Sequence, residues 1–258
     1  MTNLITVTDV TKIYSTSRGT TVSLDKVSLD VEEGEFITLV GPSGCGKSTM
    51  LNLIGGLLQA TSGDVLVHGK PVKGPSPDRG VIFQQYALFP WLTAQQNVEF
   101  GLRLQGLSRQ ERSERALHFL DIVGLKDFAH ALPKELSGGM KQRCAIARAY
   151  AVNPSVLLMD EPFGALDALT RVQMQDELLH TWERDRRTIV FITHDVDEAV
   201  YLASRVVVMS PRPGRISEII DVPLPYPRTE ALRLSPEFAE IRARVWRGVH
   251  HRDDSTTP

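Results

Sequence analysis

The stretch from residue 41 to residue 48, GPSGCGKS, restricts the possible folds of this chain more than any other part of the sequence. It fits the pattern G-x-x-x-x-G-K-[ST], in which glycines let backbone N–H groups converge on phosphates without Cβ clashes. Residues 35–40 before it have the pattern of a strand, and residues 47–58 after it have the apolar spacing of a helix. This order predicts a nucleotide site in which Lys47 faces the β- and γ-phosphates and the Ser48 hydroxyl binds Mg²⁺.

Composition and charge exclude several classes of protein. The chain has 258 residues, of which 42% are hydrophobic, so it can build the core of one large or two small domains. Its 29 Lys and Arg against 31 Asp and Glu leave no basic excess for binding nucleic acid, and we expect no nucleic-acid partner. Two cysteines, Cys45 and Cys144, are too few for a disulfide framework and indicate a reducing compartment. Cys45 is expected to be a small loop residue, because nothing indicates the histidine partner of a nucleophile.

Neither a secretion signal nor a membrane span is expected. Residues 1–10 have no basic residue ahead of a long apolar stretch. The longest uninterrupted apolar runs are about four residues, whereas a helix needs roughly 18 or more to cross a bilayer.

Strand and helix patterns alternate along the chain. Strand signals occur at residues 4–10, 22–31, 35–40, 65–67, 81–83, 156–159, 189–192 and 206–209. Helical spacing occurs at 47–58, 168–183 and 196–203, and a polar, mostly helical region runs from about 93 to 152 with breaks at 105–106 and 123–124. This alternation predicts a parallel sheet with crossover helices. The segment from Arg212, which holds four prolines by Pro227, is expected to be an appendage.

A second chemical signal is the apolar run at residues 156–159, which ends in Asp160 and Glu161. A continuous apolar run is typical of a buried parallel strand, and parallel sheets bind ligands at the carboxyl ends of their strands. Asp160 is therefore expected to hold Mg²⁺, directly or through water, and Glu161 to orient and deprotonate an attacking water. An acidic turn without a chemical role is the alternative, and the phosphate loop in the same chain argues against it.

A third signal precedes the helical stretch that ends near Val152. Ser137 is a natural N-cap, and Gly138 and Gly139 leave the first N–H groups of the helix open to an anion. From these residues alone, an ordinary capped helix is the simpler interpretation. With the Lys-Gln-Arg that follows, however, Leu-Ser-Gly-Gly resembles the signature of ATP-binding cassette (ABC) transporter ATPases, and the other motifs of that family occur in the expected order.

The resemblance covers about residues 4–220 and implies an α/β fold. This fold is a P-loop NTPase with a RecA-like parallel sheet and helices, an N-terminal antiparallel β-subdomain and a helical subdomain. The implied ATP-binding domain is 4–235, its helical subdomain is about 93–152, and a C-terminal tail is 236–258. Met140 departs from the family, in which many members carry Gln, but the Ser and Gly contacts to phosphate remain.

The resemblance also implies roles for individual residues. Tyr14 would stack on adenine, Gln84 would contact Mg²⁺ and water and sense a membrane partner, and His194 would contact the γ-phosphate. The implied nucleotide-binding residues are Tyr14, Gly41, Pro42, Ser43, Gly44, Cys45, Gly46, Lys47, Ser48, Thr49, Ser137, Gly138, Gly139 and Asp167. The implied catalytic residues are Glu161, His194 and Gln84, and the implied Mg²⁺ ligands are Ser48, Gln84 and Asp160.

ATP and Mg²⁺ are the implied cofactors, and a second copy of the chain is the implied first partner. Because the sequence has one set of motifs, each ATP would lie between the phosphate loop of one chain and the signature of the other, in a head-to-tail dimer. Asp167 would lie in the loop that crosses this interface. Integral membrane permease subunits would bind the dimer at the cytoplasmic face of the inner membrane, and an extracytoplasmic solute-binding protein would be an indirect partner.

The apolar segment at residues 85–92, directly after Gln84, allows two interpretations. It is either a groove for a cytoplasmic helix of a permease, since exposed apolar patches mark interaction sites, or a buried corner of the helical region. Residues 80–92, 160–167 and 210–216 together resemble importers of nitrate, sulfonates, taurine and related small anions.

Other functions remain open from the sequence. A soluble ABC-type ATPase of DNA repair, chromosome structure or translation is one, although the long coiled-coil insertions or tandem cassettes typical of these are absent from the sequence. An importer ATPase for a different small solute is another. A P-loop kinase for small molecules is a third, but it would not explain residues 136–139.

Overall fold

The computed structural model describes residues 3–17 and 19–250, and these residues form two compact units. The first unit contains the described residues up to Ser76 and from Leu179 onward, and the second extends from Pro77 to Leu178. The strands are β1 (Asn3–Thr16), β2 (Gly19–Glu32), β3 (Phe36–Val40), β4 (Ser62–Val67), β5 (Lys70–Pro71), β6 (Arg79–Ile82), β7 (Val156–Asp160), β8 (Thr188–Ile192), β9 (Arg205–Met209) and β10 (Ile216–Asp221). The helices are α1 (Lys47–Ile54), α2 (Ala94–Leu104), α3 (Arg109–Ile122), α4 (Gly138–Ala151), α5 (Ala168–Asp185), α6 (Val196–Leu202) and α7 (Pro236–His250).

The N-terminal strands of the first unit form the antiparallel sheet that the family resemblance implies. β1 pairs with β2 on one side and with β4 on the other, and β5 pairs with β4. Inward-facing residues such as Ile5, Leu24 and Val31 are fully buried. β1 and β2 extend beyond the predicted segments because the two strands continue to pair beyond the apolar residues, as at Tyr14 with Thr21.

The first unit also contains parallel strands. β3 lies between β8 and β9 and is parallel to both, with Leu39 beside Ile192 and Val207. Every residue of β3 and β8 is buried, as expected for continuous apolar runs in a parallel sheet. Since β3 and β8 are parallel neighbours, the loops that follow them start at the same edge.

The predicted helix at 47–58 is too long, since α1 ends at Ile54. Gly56 follows with φ +75°, and a Cβ there would lie 2.2 Å from the carbonyl oxygen of Gly74. The chain turns tightly against this distant backbone, which the apolar spacing of Leu57 and Leu58 does not reveal. As a result, Leu57 is 41% exposed instead of lying on the buried face of the helix.

The expectation of an appendage from Arg212 onward is also wrong. β10 is an antiparallel partner of β9, and Ile220 is buried. α7 packs against α6, β9 and β10, and its Phe238 and Val245 are fully buried. The prolines before residue 228 obscured this pairing in the sequence. The predicted boundaries at 4–235 and 236–258 stay predictions.

The second unit contains β6, β7, α2, α3, α4 and the first part of α5. β6 and β7 are parallel, with Ile82 beside Met159, and α2, α3 and α4 pack on one another. The breaks predicted at 105–106 and 123–124 are confirmed, and Gly106 and Gly124 both have positive φ there. Burial raises the pKa of the Cys144 thiol in α4 to about 12, so this thiol stays protonated at neutral pH.

The strand and helix order confirms the predicted α/β class. No helix among the described residues combines the length and the apolar character of a membrane span.

Candidate functional site

The phosphate loop follows β3 and ends at the first turn of α1, in the first unit. Gly41 has φ +152°, and a Cβ there would lie 2.6 Å from the carbonyl oxygen of Met209. Gly46 has φ +102°, and its Cβ would lie 2.6 Å from a methyl carbon of Leu24. Both the backbone conformation and the space at these positions therefore require glycine.

Lys47 places its ammonium inside this loop. The residue is 8% exposed, and Nζ donates to the carbonyl oxygens of Gly41 (2.7 Å) and Pro42 (3.1 Å). Nζ also lies 3.8 Å from Sγ of Cys45, a buried residue of the loop. A cation held at the N-terminus of a helix, among backbone N–H groups, is suited to a polyphosphate.

The first turn of α1 adds two hydroxyl groups. Ser48 is exposed. Thr49 Oγ1 lies 3.0 Å from the Ser23 hydroxyl and 3.5 Å from the hydroxyl of Tyr14. Tyr14 is 37% exposed on β1, and Lys12 Nζ lies 5.2 Å from its ring centre. An aromatic ring that is half open to solvent beside the phosphate loop has a face available for stacking on a base.

His194 lies just beyond β8 and is exposed. The backbone before it is fixed because the N–H of Thr193 donates to the carbonyl of Leu39 in β3 (3.3 Å). The backbone after it is fixed by Asp195, which caps α6 by accepting from the N–H of Glu198 (3.1 Å). Because β3 and β8 are neighbours, the structure brings His194 and the phosphate loop to the same edge of the first unit.

In the second unit, Gln84 and Glu161 meet at the carboxyl ends of β6 and β7. Nε2 of Gln84 donates to Oε2 of Glu161 at 3.1 Å. Glu161 has φ +47°, a conformation that costs a non-glycine residue about 1–2 kcal/mol and that recurs at functional sites. Asp160 is half-buried as the last residue of β7. Two carboxylates and an amide therefore lie at the carboxyl ends of these two neighbouring strands.

The Ser-Gly-Gly segment forms the start of α4. Ser137 is the N-cap, and its hydroxyl accepts from the N–H of Met140 at 3.3 Å. Ser137 and Gly138 are exposed. A Cβ on Gly138 would lie 3.1 Å from the hydroxyl of Tyr86, and one on Gly139 would lie 3.2 Å from Leu166. This helix start is thus open to solvent and has room for an anion.

Asp167 ends the loop that begins at Ala165. Its carboxylate accepts from the N–H (3.0 Å) and the hydroxyl (2.7 Å) of Thr170. These hydrogen bonds lower the pKa of Asp167, the bond from the Thr170 backbone most of all, so this exposed side chain is ionised at neutral pH.

Each unit supplies oxygen donors of the kind that Mg²⁺ binds. This ion prefers oxygen ligands and is held by one or two carboxylates together with phosphate oxygens and water. The Ser48 hydroxyl in the first unit, and Asp160 and Gln84 in the second, supply such groups. Among the described residues, no cluster of three or more His, Cys, Asp or Glu could hold a metal without a nucleotide.

An apolar surface follows Gln84, and we call Phe89, Trp91, Phe100 and Leu104 the aromatic surface. Trp91 is 71% exposed and Leu104 77% exposed, so a fully buried corner is the wrong interpretation for this region. Phe89 connects the surface, with its ring centre 5.7 Å from Trp91 and 4.5 Å from Phe100.

Sequence reasoning missed two parts of this surface. Phe100 and Leu104 lie four residues apart on α2, a spacing that could have indicated an exposed apolar stripe. Arg148 of α4 was also missed. It donates to the carbonyls of Ala87 (2.7 Å) and Tyr86 (3.3 Å), and burial lowers its pKa.

Comparisons with known proteins show the family to which the chain belongs. Residues 24–164 match the family described as ABC transporter. The chain is 68% identical over 235 residues to an ATP-binding protein of Brucella abortus, covering 91% of this chain and 90% of the relative. It is 51% identical over 257 residues to the nitrate import ATP-binding protein NrtD of Synechocystis sp., covering 97% of each.

The fold also has a solved counterpart. A dimeric structure of MJ0796, described as a bacterial ABC transporter cassette, matches with a TM-score of 0.79 and 38% sequence identity. The match covers 84% of this chain and 98% of that one.

Proposed function

Since this chain belongs to the ABC transporter family, we propose that it is the ATP-hydrolysing subunit of an importer for a small inorganic or organic anion, such as nitrate, taurine or another sulfonate. The predicted enzyme class, an ABC-type ATPase coupled to transmembrane transport, is confirmed by the family match. The anion is a proposal supported by the 51% identity to a nitrate import subunit over 97% of the chain.

The position of Lys47 is the observation that carries the nucleotide site. Its buried ammonium bonds to the carbonyls of Gly41 and Pro42 at the start of α1, where the helix dipole also favours an anion. We propose that the loop residues hold the phosphates and that the exposed ring of Tyr14 stacks on adenine. The loop residues are Gly41, Pro42, Ser43, Gly44, Cys45, Gly46, Lys47, Ser48 and Thr49.

We propose that Glu161 accepts a proton from the attacking water. Its carboxylate accepts a hydrogen bond from Gln84, which orients the side chain at the end of β7 for contact with water. His194, at the carboxyl end of β8, donates a hydrogen bond to the γ-phosphate as negative charge builds there. Ser48, Gln84 and Asp160 would hold Mg²⁺, which supplies charge neutralisation for phosphoryl transfer.

We propose a head-to-tail homodimer as the active form. The start of α4, with Ser137, Gly138 and Gly139, would receive the γ-phosphate of the ATP bound to a second copy. Asp167 would lie at the same interface. The dimeric state of the solved cassette supports this proposal, and so does the exposure of Ser137 and Gly138.

We propose that permease subunits bind the aromatic surface. An exposed indole beside two further aromatic rings is suited to pack against an apolar helix of a partner, as hot spots at interfaces do. Through this contact the chain would lie peripherally on the cytoplasmic face of the inner membrane. An extracytoplasmic solute-binding protein would act on it only through the permease.

Uptake by cells that depend on this chain tests the proposal. We expect cells that carry Lys47→Ala in place of the natural chain to lose ATP-driven uptake of the anion, because the phosphates lose their buried cation. Labelled nitrate and labelled taurine are offered in separate assays. If the variant cells take up both anions normally, the assignment to importers of small anions is contradicted. If the purified variant binds ATP normally, the nucleotide site itself is contradicted.

A further inference from the structure

The turn between β9 and β10 is packed against the phosphate loop. A Cβ on Gly214 would lie 1.9 Å from the carbonyl oxygen of Cys45, so only glycine allows this approach. The N–H of Gly214 donates to the carbonyl of Ser23 (2.9 Å), and its own carbonyl accepts from the N–H of Asp25 (3.0 Å). These contacts, all within the first unit, fix the turn beside the loop.

Two arginines of this turn have different surroundings. Arg215 is neutralised by Asp25, with its Nε donating to Oδ2 at 3.1 Å. Arg212 is exposed, and within the described part of the chain it has no hydrogen bond or ion pair. Its Nη2 lies 3.6 Å from the position that a Cβ on Gly44 would occupy. The unpaired guanidinium therefore lies over the phosphate loop, next to Gly44, which has no side chain.

We propose that Arg212 is a second cation of the nucleotide site and that its guanidinium donates to a phosphate oxygen of the nucleotide on the loop. This inference rests on the proposed function of that loop. Lys47 reaches the loop from within and is held there by carbonyl groups, whereas Arg212 reaches it from outside on a separate turn. A guanidinium presents paired N–H donors that match two phosphate oxygens, so it adds direction as well as charge.

Gly44 supports the same arrangement. Its φ of +77° favours glycine, and, apart from its two chain neighbours, the nearest atom to a Cβ there is Nη2 of Arg212. Glycine at this position thus leaves the loop backbone accessible to the guanidinium.

Titration of the purified chain with Mg²⁺–AMP-PNP tests the inference, with Arg212→Gln as the variant and Arg215→Gln as its matched control. The two variants change the net charge equally and lie in the same turn. We expect Arg212→Gln to raise the Kd about five- to tenfold, since a hydrogen bond to a charged group at an open site has this size of effect. Arg215→Gln should change the Kd less than about twofold, because Asp25 already neutralises that arginine.

A lysine variant and a salt series sharpen the result. Arg212→Lys should recover part of the affinity, since it keeps the charge but not the paired donors. Added salt should weaken binding less in Arg212→Gln than in the natural chain, because an exposed cation is screened by ions. Thermal melting of each variant verifies that the turn stays folded.

Lys47→Ala separates failure of the inference from failure of the proposed function. If Arg212→Gln binds normally while Lys47→Ala does not bind, the inference is overturned and the nucleotide site stands. An equal loss in both glutamine variants also overturns it, because the effect then belongs to the turn as a whole. If Lys47→Ala binds normally, the proposed site fails first.

Discussion

The two helix starts that could receive phosphate differ in how closely they are packed. In the phosphate loop, Gly41 and Gly46 have positive φ, and a Cβ at either would lie 2.6 Å from a neighbouring atom. At the start of α4, a Cβ on Gly138 would lie 3.1 Å from Tyr86, and one on Gly139 would lie 3.2 Å from Leu166. Ser137 and Gly138 are also exposed. The first site is closely supported by its surroundings, and the second is open.

The two helix starts also differ in charge. The phosphate loop encloses the ammonium of Lys47, whereas α4 is capped by the uncharged hydroxyl of Ser137. An open helix start with a neutral cap is suited to an anion that arrives with its own cations, such as Mg²⁺–ATP held by another chain. We infer that nucleotide binding belongs to a single chain and that hydrolysis needs two copies.

The largest expected effect is on the rate of ATP hydrolysis, in a variant that still binds ATP. Glu161→Gln keeps the size and the hydrogen bond to Gln84 but removes the ability to accept a proton. Turnover should fall about 10²- to 10⁴-fold, because that is the usual contribution of a general base. ATP binding should persist, so a closed dimer should accumulate and appear as an ATP-dependent shift on gel filtration. Turnover at the natural rate would show that another group activates the water.

Because the two helix starts differ in packing, we expect two glycine-to-alanine substitutions to lower the free energy of unfolding by different amounts. Gly46→Ala should lower the free energy of unfolding by about 2–4 kcal/mol, because it combines a positive φ with a clash against Leu24. Gly138→Ala should change it by less than about 1 kcal/mol, since the Tyr86 hydroxyl, 3.1 Å from the new Cβ, is the end of a flexible side chain that can move aside, and alanine favours a helix. Urea denaturation followed by circular dichroism measures both. Equal costs would mean that the two helix starts are equally constrained.

The aromatic surface is also open, and its expected effect on stability is smaller than that of Gly46→Ala. Replacing Phe89 and Trp91 together by Ser should lower the free energy of unfolding by less than about 2 kcal/mol. Neither ring is fully buried, so each contributes only part of the stabilisation that a core side chain gives. Basal ATPase activity should survive, while co-purification with the permease should be lost. Trp246→Ser, at another exposed tryptophan (54%), is the matched control and should keep the permease. A collapse of thermal stability in the double variant would show that these rings belong to the core.

How much the sequence could predict depends on how local each feature is. The phosphate loop and the Asp160–Glu161 strand end were predictable because each motif lies within a single strand-to-loop segment. The end of α1 was not, since Gly56 is constrained by the distant Gly74. The same holds for position 214, where only glycine fits because the backbone of Cys45, far away in the sequence, lies against it. Contacts of this kind are set by tertiary packing, and no short pattern records them.

The aromatic surface was predictable only in part. The run at 85–92 contained Phe89 and Trp91, but two interpretations fitted it until the exposure of Trp91 was known. Arg148, whose guanidinium bonds to the carbonyls of this segment, gave no signal because an arginine in a helix usually faces solvent.

The central claim is that a phosphate loop from one copy works with the Ser137 helix start of the other, and mixing two inactive chains tests it most directly. Lys47→Ala removes the loop cation, and Ser137→Arg blocks the helix start with a bulky charged group. Each variant alone should lack ATPase activity. In a head-to-tail heterodimer of the two, one site joins an intact loop to an intact helix start.

ATPase activity of the equimolar mixture is therefore the deciding measurement. The account predicts recovery of up to about a quarter of the natural activity, because half of the randomly mixed dimers contain one intact site out of two. Activity should rise with protein concentration as heterodimers form. A mixture that stays as inactive as its components at all concentrations, although both variants fold and Ser137→Arg binds ATP, would contradict the claim.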